Sequence, residues 1–251
     1  MKKIDYTLGV VSVSFRAYTP EEIIKATADA GLCCIEWGSD VHAPATDTEK
    51  LKGIAALQSQ YGIHTSSYGT YFRLGITPIE ELVDYINAAK ILGTDILRLW
   101  CGNKSGADMT EEERNALLAE CKRAADIAEA HGVTLCMECH RSTFTEVCDD
   151  AVLLMKEIDS PNFKMYWQPF QWQSFEDNLE NASRISKYAV NLHVFNWRGA
   201  EKLPRADATL EWRAYLKKFD TPHPLLLEFM PHDSIEELKS EADALRKIIN
   251  T

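Results

Sequence analysis

The sequence lacks long apolar segments and an apolar leader. No run of apolar residues approaches the roughly 18 that a membrane span needs. The stretch from Met1 to Asp5 carries charge, but no apolar core follows it, so we expect no secretory signal peptide. These absences argue against a membrane-spanning or secreted protein and favour a cytoplasmic location.

Positive charge is scarce relative to negative charge. The 251 residues include 27 Lys and Arg against 38 Asp and Glu, which gives a formal net charge of −11. This balance suits neither the phosphate backbone of nucleic acid nor an anionic membrane surface, so we expect neither as a partner. A small anionic ligand is still allowed, because a few local cations can override the net field.

Other missing features each remove a class of protein. The seven cysteines are odd in number and scattered, which indicates reduced thiols rather than a disulfide framework. The glycine-rich turn of dinucleotide-binding folds is absent, since Gly9 stands alone after the first apparent strand. Linkers, low-complexity tracts and shifts in composition are absent as well. We therefore expect one domain over residues 1–251, with 45% hydrophobic residues to supply its core.

The sequence does contain a regular alternation of short β-rich runs and amphipathic helical stretches. The eight predicted strands are Thr7–Val13, Cys33–Trp37, His64–Tyr68, Ile96–Trp100, Val133–Glu138, Phe163–Trp167, Val190–Phe195 and Pro224–Phe229. The predicted helices include Pro20–Ala30, Ile79–Leu92, Glu111–His131 and Ser234–Ile249. Threonines followed by Pro or acidic residues mark several helix starts: Thr19, Thr77 and Thr110.

This alternation predicts the fold. Strands that alternate with helices run parallel and are joined by right-handed crossovers. Eight equal units in about 250 residues match a (β/α)₈ barrel better than an open doubly wound sheet. In such a barrel the chemistry lies at the rim formed by the C-terminal ends of the strands.

Polar residues occupy the ends of four consecutive predicted strands. They are Glu138, Gln168, His193 and Glu228, on strands five to eight. An ionisable group in an apolar run is costly unless it is paired or bound to a metal. Any one of them alone could be a capping or salt-bridging residue, but four at one rim predict a metal site. Oxygen ligands with one imidazole suit one divalent ion, Mn²⁺, Mg²⁺, Zn²⁺ or Co²⁺.

The strand ends and the loops after them contain seven distinctive segments: CIEWGSDVHAP, SSYGTYFRLG, LRLW, MECHRSTFTE, MYWQPFQW, LHVFNW and LLLEF. In these segments the sequence resembles a known family, the sugar (phosphate) isomerase/epimerase group with a xylose isomerase-like TIM barrel. The resemblance runs nearly the whole length, and its motifs are more specific for the superfamily than for a substrate. That family holds a divalent metal with Glu, Asp, His and Glu, which implies Glu138, Gln168, His193 and Glu228 here.

Gln168 departs from that pattern, because the family has Asp at this position. A Gln amide oxygen can still coordinate a hard cation, but it brings no charge. Glu138 and Glu228 alone would then balance a dication, which predicts weaker metal binding and a stronger Lewis acid. The alternative is a metal site that has decayed, in which Gln168 only forms hydrogen bonds.

Side-chain alternation along strand five adds a histidine to the rim. If Glu138 faces the barrel interior, so do Cys136 and His140, whereas Met137 and Cys139 face the helices. Cys136 and Cys139 therefore do not form a zinc or redox pair. His140 is either a proton shuttle or substrate contact, or a hydrogen-bonded support for the metal ligands.

Further candidate substrate contacts follow the strands. In the family that this sequence resembles, the loop after strand two faces the substrate, which assigns Glu36 and His42 to binding. A salt bridge from Glu36 to Arg98 is an equal alternative. The other candidates are cationic and aromatic side chains: Tyr68, Arg98, Trp100, Lys104, Arg141, Trp197 and Arg198. The cations could bind anionic substrate groups or form salt bridges at the rim. The aromatics could stack on sugar C–H faces or take part in ordinary packing.

The predicted function follows from a metal flanked by two glutamates. We expect a metal-dependent sugar or sugar-phosphate isomerase or epimerase. Glu138 or Glu228 removes the proton next to a carbonyl and gives a metal-stabilised enediolate. The other glutamate returns a proton on the opposite face or at the neighbouring carbon. The expected partner is a small-molecule sugar, and a homo-oligomer is left open.

Two enzyme alternatives and one non-enzyme alternative remain. A lyase or dehydratase on oxo-sugars, inososes or 3-oxo-glycosides would use the same metal site, with His140 as acid or base. A metal-free sugar-binding protein is favoured only by Gln168. A DNA-repair endonuclease on the same barrel would need more His and Asp ligands and less negative charge.

Overall fold

The computed structural model describes residues 6–250, and its first seven strands all belong to one sheet. They are β1 (Leu8–Val11), β2 (Cys34–Gly38), β3 (His64–Leu74), β4 (Ile96–Cys101), β5 (Thr134–Glu138), β6 (Phe163–Trp167) and β7 (Ala189–Val194). A short antiparallel pair follows, β8 (Trp197–Arg198) and β9 (Glu201–Lys202), before the eighth strand of the main sheet, β10 (Leu225–Leu227).

The main sheet closes on itself. Each strand from β1 to β6 pairs in parallel with the strand that follows it, and β10 pairs in parallel with both β7 and β1. Parallel neighbours require long crossovers, and the helices supply them. The (β/α)₈ barrel expected from the alternation of strands and helices is thereby confirmed.

Helices cover the outside of the barrel. Across residues 6–250 they are α1 (Pro20–Asp29), α2 (Thr48–Gln60), α3 (Leu82–Leu92), α4 (Glu111–His131), α5 (Cys148–Ile158), α6 (Phe175–Ile185), α7 (Thr209–Leu216) and α8 (Leu238–Ile249). The larger hydrophobic core lies between these helices and the strands, and includes Trp37, Leu99 and Trp167. A smaller core fills the barrel interior with Val11, Val13, Cys34, Cys136, Tyr166 and Leu226.

The helix starts agree with the predicted capping signals at two of three threonines. Thr19 and Thr110 each form a capping box with the glutamate three residues later. Thr77 does not cap α3, because its hydroxyl accepts the backbone N–H of Arg73 at 3.1 Å and a short 3₁₀ turn precedes the helix. At the end of α4, Gly132 has the positive φ of 65° that a left-handed C-terminal cap requires.

The length and apolar character of the helices show whether any of them could span a membrane. Within residues 6–250, none of the helices is both long enough and apolar enough to cross a bilayer.

Candidate metal centre

Glu138, His193 and Glu228 meet at the C-terminal rim of the barrel. One ligand atom from each lies within 4.8 Å of the other two. Nδ1 of His193 is 3.6 Å from Oε1 of Glu138 and 3.5 Å from Oε2 of Glu228. His193 is fully buried, and the two glutamates are 4% exposed. Buried carboxylates this close together are costly without a compensating cation.

The amide of Gln168 joins this group. Its Nε2 donates to the carbonyl of Cys139 at 3.0 Å, and its Oε1 lies 3.0 Å from Nδ1 of His193. Because only the amide nitrogen can donate to a carbonyl, the Cys139 contact turns the oxygen toward the other three residues. The structure thus brings together the four residues expected at the rim, called the ligand cluster below. Their role as ligands stays a prediction.

The surroundings of the Glu228 carboxylate show whether the ligand cluster suits a cation. Its Oε2 is buried and has no hydrogen-bond partner among residues 6–250. Burial, with repulsion from Glu138, raises the pKa of Glu228 to about 7 against the pull of His193 and Arg98. A divalent ion would provide the missing partner. Two carboxylates, an amide oxygen and an imidazole form a donor set that Mg²⁺, Mn²⁺, Zn²⁺ and Co²⁺ accept, so the residues present fit such an ion.

A buried charge network lies beneath the ligand cluster. Arg98 donates from Nε to Oε1 of Glu36 at 2.8 Å and from Nη1 to Oε2 of Glu138 at 2.5 Å. Oε2 of Glu36 accepts from the Ser67 hydroxyl at 3.0 Å and lies 3.3 Å from Nε2 of His193. With an Nε2–H directed at Glu36, loss of the other ring proton to solvent would leave Nδ1 of His193 as the ligand atom. Glu36 therefore supports the cluster from below.

Neighbouring charges set the pKa values in this network. Burial acts to raise the pKa of Glu36, but His193 and Arg98 outweigh it and lower the pKa to about 2. Burial is likewise outweighed at Glu138, where Arg98 and then His193 hold the pKa well below its usual range. At His193 burial acts to lower the pKa, and Glu228 and Glu36 raise it to about 10. Glu36 and Glu138 are therefore ionised at neutral pH.

A cavity of about 410 Å³ opens above the ligand cluster, a size that suits a small polar molecule. Glu138, Gln168 and Glu228 form part of its wall. Aromatic side chains form another part: Tyr71, Trp100, Phe170, Trp172, Phe195, Trp197 and Phe229. The cavity therefore combines ligating oxygens with flat apolar surfaces that can pack on ring or sugar carbons.

Five of the predicted contact residues line this cavity: Arg98, Trp100, His140, Arg141 and Trp197. Nε1 of Trp100 donates to Oε2 of Glu138 at 2.5 Å, and the Trp100 and His140 rings lie 4.8 Å apart. Nδ1 of His140 is 2.7 Å from the carbonyl oxygen of Arg141. Since a carbonyl can only accept, Nδ1 carries the hydrogen and Nε2 of a neutral His140 is a base.

Tyr68 and His42 lie in the scaffold rather than at the cavity. The Tyr68 ring is fully buried, and its hydroxyl donates to the carbonyl of Ala43 at 2.5 Å. His42 is also buried, with its ring nitrogens 3.2 Å from Oγ of Ser12 and 3.1 Å from the carbonyl of Tyr18. The expected substrate contacts are corrected here, because both side chains are already committed to internal partners.

Lys104, Arg198 and Glu36 also lie outside the cavity wall. Nζ of Lys104 pairs with Glu113 at 2.7 Å, and Nη2 of Arg198 pairs with Glu211 at 2.8 Å. Arg198 lines a smaller neighbouring cavity of about 220 Å³ instead. For Glu36 the structure shows the salt bridge to Arg98, which was the alternative interpretation. Each of these three residues pairs with an oppositely charged partner of its own, so the assignment of all three as substrate contacts is corrected.

Sequence reasoning overlooked other residues at the cavity. Arg16 follows the 3₁₀ turn after β1, donates to Asp40 at 2.8 Å and to the Tyr71 hydroxyl, and lines the cavity together with Tyr71. Phe229 also lines it and has a φ of 53°, a strained left-handed conformation for an aromatic residue. The position of Phe229 directly after Glu228 could have identified it as a cavity residue. No feature of the sequence singled out Arg16.

Comparison with known proteins identifies the family. Residues 24–248 match the family described as the xylose isomerase-like TIM barrel. The chain belongs to this family. The resemblance expected from the strand-end motifs is therefore confirmed.

Proteins that are similar to this chain carry more than one activity in their names. The 3-dehydroshikimate dehydratase of Bacillus anthracis is 22% identical over 195 residues, which is 69% of each chain. The solved structure of the probable 3-DHS dehydratase AsbF of Bacillus anthracis has a TM-score of 0.80 at 19% identity, over 96% of this chain and 98% of that one.

Two further solved structures share the fold. D-psicose 3-epimerase of Clostridium cellulolyticum H10, solved with D-tagatose, has a TM-score of 0.72 at 15% identity, over 98% of this chain and 100% of that one. A xylose isomerase-like TIM barrel protein of Mycobacterium smegmatis, solved in complex with magnesium, has a TM-score of 0.72 at 13% identity, over 97% and 96% of the two chains. The proteins to which this chain is similar thus include dehydratases and an epimerase by name.

Proposed function

We propose that this protein is a divalent-metal-dependent lyase that dehydrates a small polyhydroxylated carbonyl compound. The observation that carries the proposal is the ligand cluster of Glu138, Gln168, His193 and Glu228, whose Glu138, Gln168 and Glu228 form part of the cavity wall. A divalent ion held there would act as a Lewis acid on a substrate carbonyl or hydroxyl oxygen. The substrate class is oxo-sugars, inososes, 3-oxo-glycosides and related hydroxy-carbonyl rings.

Glu138 is suited to hold charge rather than to move a proton. Its Oε2 accepts hydrogen bonds from both Arg98 and Trp100, at 2.5 Å each. Its Oε1 faces His193 within the ligand cluster, 3.6 Å from Nδ1. Since both oxygens are committed, the acid and base of the reaction must be other groups at the cavity.

His140 and Glu228 are those groups. Nε2 of His140 takes the proton from the carbon next to the carbonyl, and the bonding electrons move toward the carbonyl oxygen. The electrons then form a carbon–carbon double bond as the hydroxyl on the next carbon leaves. His140 or Glu228 gives that hydroxyl a proton, so one water is lost in total. Similarity to 3-dehydroshikimate dehydratase supports this elimination.

Epimerisation or isomerisation is the second candidate. Glu228 lies at the cavity wall, so its carboxyl oxygen that does not hold the ion could return a proton to carbon instead of to a leaving group. The fold shared with D-psicose 3-epimerase supports this possibility. Both candidates begin with the same proton removal.

The test is a reaction in D₂O, followed by NMR. The Mn²⁺-loaded protein would be incubated with 3-dehydroshikimate, inososes, 3-oxo-glycosides, and ketoses or aldoses with their phosphates. Dehydration predicts an unsaturated product, whereas deuterium next to the carbonyl without loss of water would assign the second candidate. Conversion with neither water loss nor deuterium would indicate a hydride shift and overturn proton abstraction.

Variants connect that reaction to the named residues. His140→Gln and Glu228→Gln should each lower turnover by about 10²–10⁴-fold, the usual contribution of a general acid or base. Lys104→Gln is the control, because Lys104 pairs with Glu113 outside the cavity wall. Full activity in His140→Gln would remove this histidine from the proposed step.

A further inference from the structure

A second group of ligating side chains lies at the opposite, N-terminal end of the barrel. Cys33, Cys34 and His64 each offer one ligand atom, and these atoms lie within 4.8 Å of one another. Cys33 immediately precedes β2, Cys34 is the first residue of β2, and His64 is the first residue of β3. This thiol cluster is separate from the ligand cluster, which lies at the other ends of the strands.

Strand pairing holds the thiol cluster together. Cys34 and His64 are register partners in the parallel pair of β2 and β3, so their side chains leave the sheet on the same side. The N–H of His64 donates to the carbonyl of Cys33 at 3.0 Å, and Sγ of Cys33 lies 3.4 Å from the carbonyl oxygen of Leu8. The backbone ladder therefore places all three residues before any ion binds.

The surroundings of the two sulfurs also suit a site. Cys34 is buried, Cys33 is half-buried and His64 is exposed, which gives an ion a path from solvent. A Cβ at Gly9 of β1 would lie 2.4 Å from Sγ of Cys34. The missing side chain at Gly9 therefore leaves the space that this sulfur occupies.

We propose that Cys33, Cys34 and His64 bind one thiophilic metal ion, with water as the fourth ligand. Two thiolates and an imidazole are the soft donor set that Zn²⁺ and Cd²⁺ prefer, and three protein ligands leave one tetrahedral position for solvent. The ion would tie β2 to β3 at the N-terminal end of the barrel and stabilise the folded state. This site does not depend on the proposed reaction.

Cadmium is the probe that tests this site. The reduced, chelator-treated full-length protein would be titrated with Cd²⁺ while the ultraviolet thiolate-to-cadmium charge-transfer band is followed. We expect a saturable band at one equivalent, to which the sulfur-free ligand cluster contributes nothing. Cys33→Ser and Cys34→Ser should each remove most of the band. His64→Gln should weaken Cd²⁺ binding by about tenfold or more.

Two control variants separate the thiol cluster from the rest of the protein. Cys148→Ser removes a half-buried thiol on α5, and Glu228→Gln changes the ligand cluster; both should keep the band. A band that survives Cys33→Ser, or that disappears in Cys148→Ser, would overturn the proposal. Unchanged Cd²⁺ affinity in His64→Gln would do the same for the third ligand. If Cys34→Ser fails to fold, the half-buried Cys33 and the exposed His64 still decide the outcome.

Discussion

Charge at the C-terminal rim of the barrel is balanced around Arg98. This guanidinium is 3% exposed and pairs with both Glu36 and Glu138. Its charge offsets that of Glu36, which leaves Glu138 and Glu228 to neutralise a dication. If Gln168 is a ligand, as predicted, its neutral amide would complete the donor set without an excess negative charge.

Removal of Arg98 should therefore destabilise the fold. Arg98→Met leaves two buried carboxylates without their cation, and we expect the free energy of unfolding to fall by about 3–5 kcal/mol. Urea denaturation of the metal-free protein would measure it. Arg123→Met is the matched control, because Arg123 is 62% exposed and lies 3.8 Å from Glu80 at the surface. Equal effects in the two variants would contradict a structural role for the buried network.

A charge introduced at Gln168 should strengthen metal binding. Gln168→Asp adds a carboxylate beside His193, and we expect Mn²⁺ to bind about tenfold more tightly or better. Titration calorimetry would measure the affinity. Gln171→Asp adds the same charge to the cavity wall at a residue outside the ligand cluster and should change the Mn²⁺ affinity less. Unchanged or weaker binding in Gln168→Asp would argue against direct coordination.

Strand β3 shows how one element makes room for the charge network. A Cβ at Gly69 would lie 2.7 Å from Oε1 of Glu36 and 2.8 Å from Nη2 of Arg98. A Cβ at this position would push Glu36 and Arg98 apart, because the surrounding atoms of a packed core cannot shift enough to make room for it. The strand can approach the buried charges only because it has glycine at this position.

A pair of glycine substitutions tests this close approach. Gly69→Ala should lower the free energy of unfolding by about 1–3 kcal/mol through overpacking and should also weaken Mn²⁺ binding. Gly53→Ala is the counterpart on α2, where an added Cβ meets no described atom within 4 Å. Alanine is the better helix former, so stability should rise by about 0.5–1 kcal/mol. Urea denaturation would measure the change in the free energy of unfolding of both variants. A stabilised Gly69→Ala would refute the packing argument.

The stability of the whole barrel should depend on pH through Glu228. The folded pKa of about 7 lies above the ordinary value of 4.5, because burial and then Glu138 disfavour the ionised form. The folded state therefore holds this proton more strongly than the unfolded chain does. The resulting stabilisation is complete below the ordinary value and is lost as pH rises through about 7.

Unfolding of chelator-treated protein across this pH range would test the dependence. The free energy of unfolding of the unaltered protein should fall more steeply between about pH 5 and pH 8 than that of Glu228→Gln. Saturating Mn²⁺ should remove the difference in slope, since a bound cation favours the ionised carboxylate. Parallel pH profiles for the two metal-free proteins would contradict the raised pKa.

The two ends of the molecule carry different ligand chemistry. Hard oxygen donors and an imidazole lie at the C-terminal rim, and two thiols with an imidazole lie at the N-terminal end. The elements of the barrel extend from Leu8 to Ile249. The single domain expected over residues 1–251 stays a prediction, and this extent agrees with it.

The sequence by itself determined the barrel and the composition of its rim. Alternating strand and helix patterns, with caps at Thr19 and Thr110, depend on local interactions and can be recognised without the fold. Glu138 and Glu228 could be placed together because the carboxyl ends of parallel strands meet at one rim whatever the loops do. For the same reason Gln168 and His193 were expected beside them.

Only the tertiary structure decided which other side chains face the cavity. The pairing of β2 with β3 shifts register between Ile35 and Glu36, and this shift pairs Glu36 with Ser67 and turns Tyr68 toward the helices. A shift of one residue reverses the direction of every following side chain, and no sequence pattern marks it. Arg16 reaches the cavity through a loop, whose path is set by distant contacts such as its hydrogen bond to Asp40.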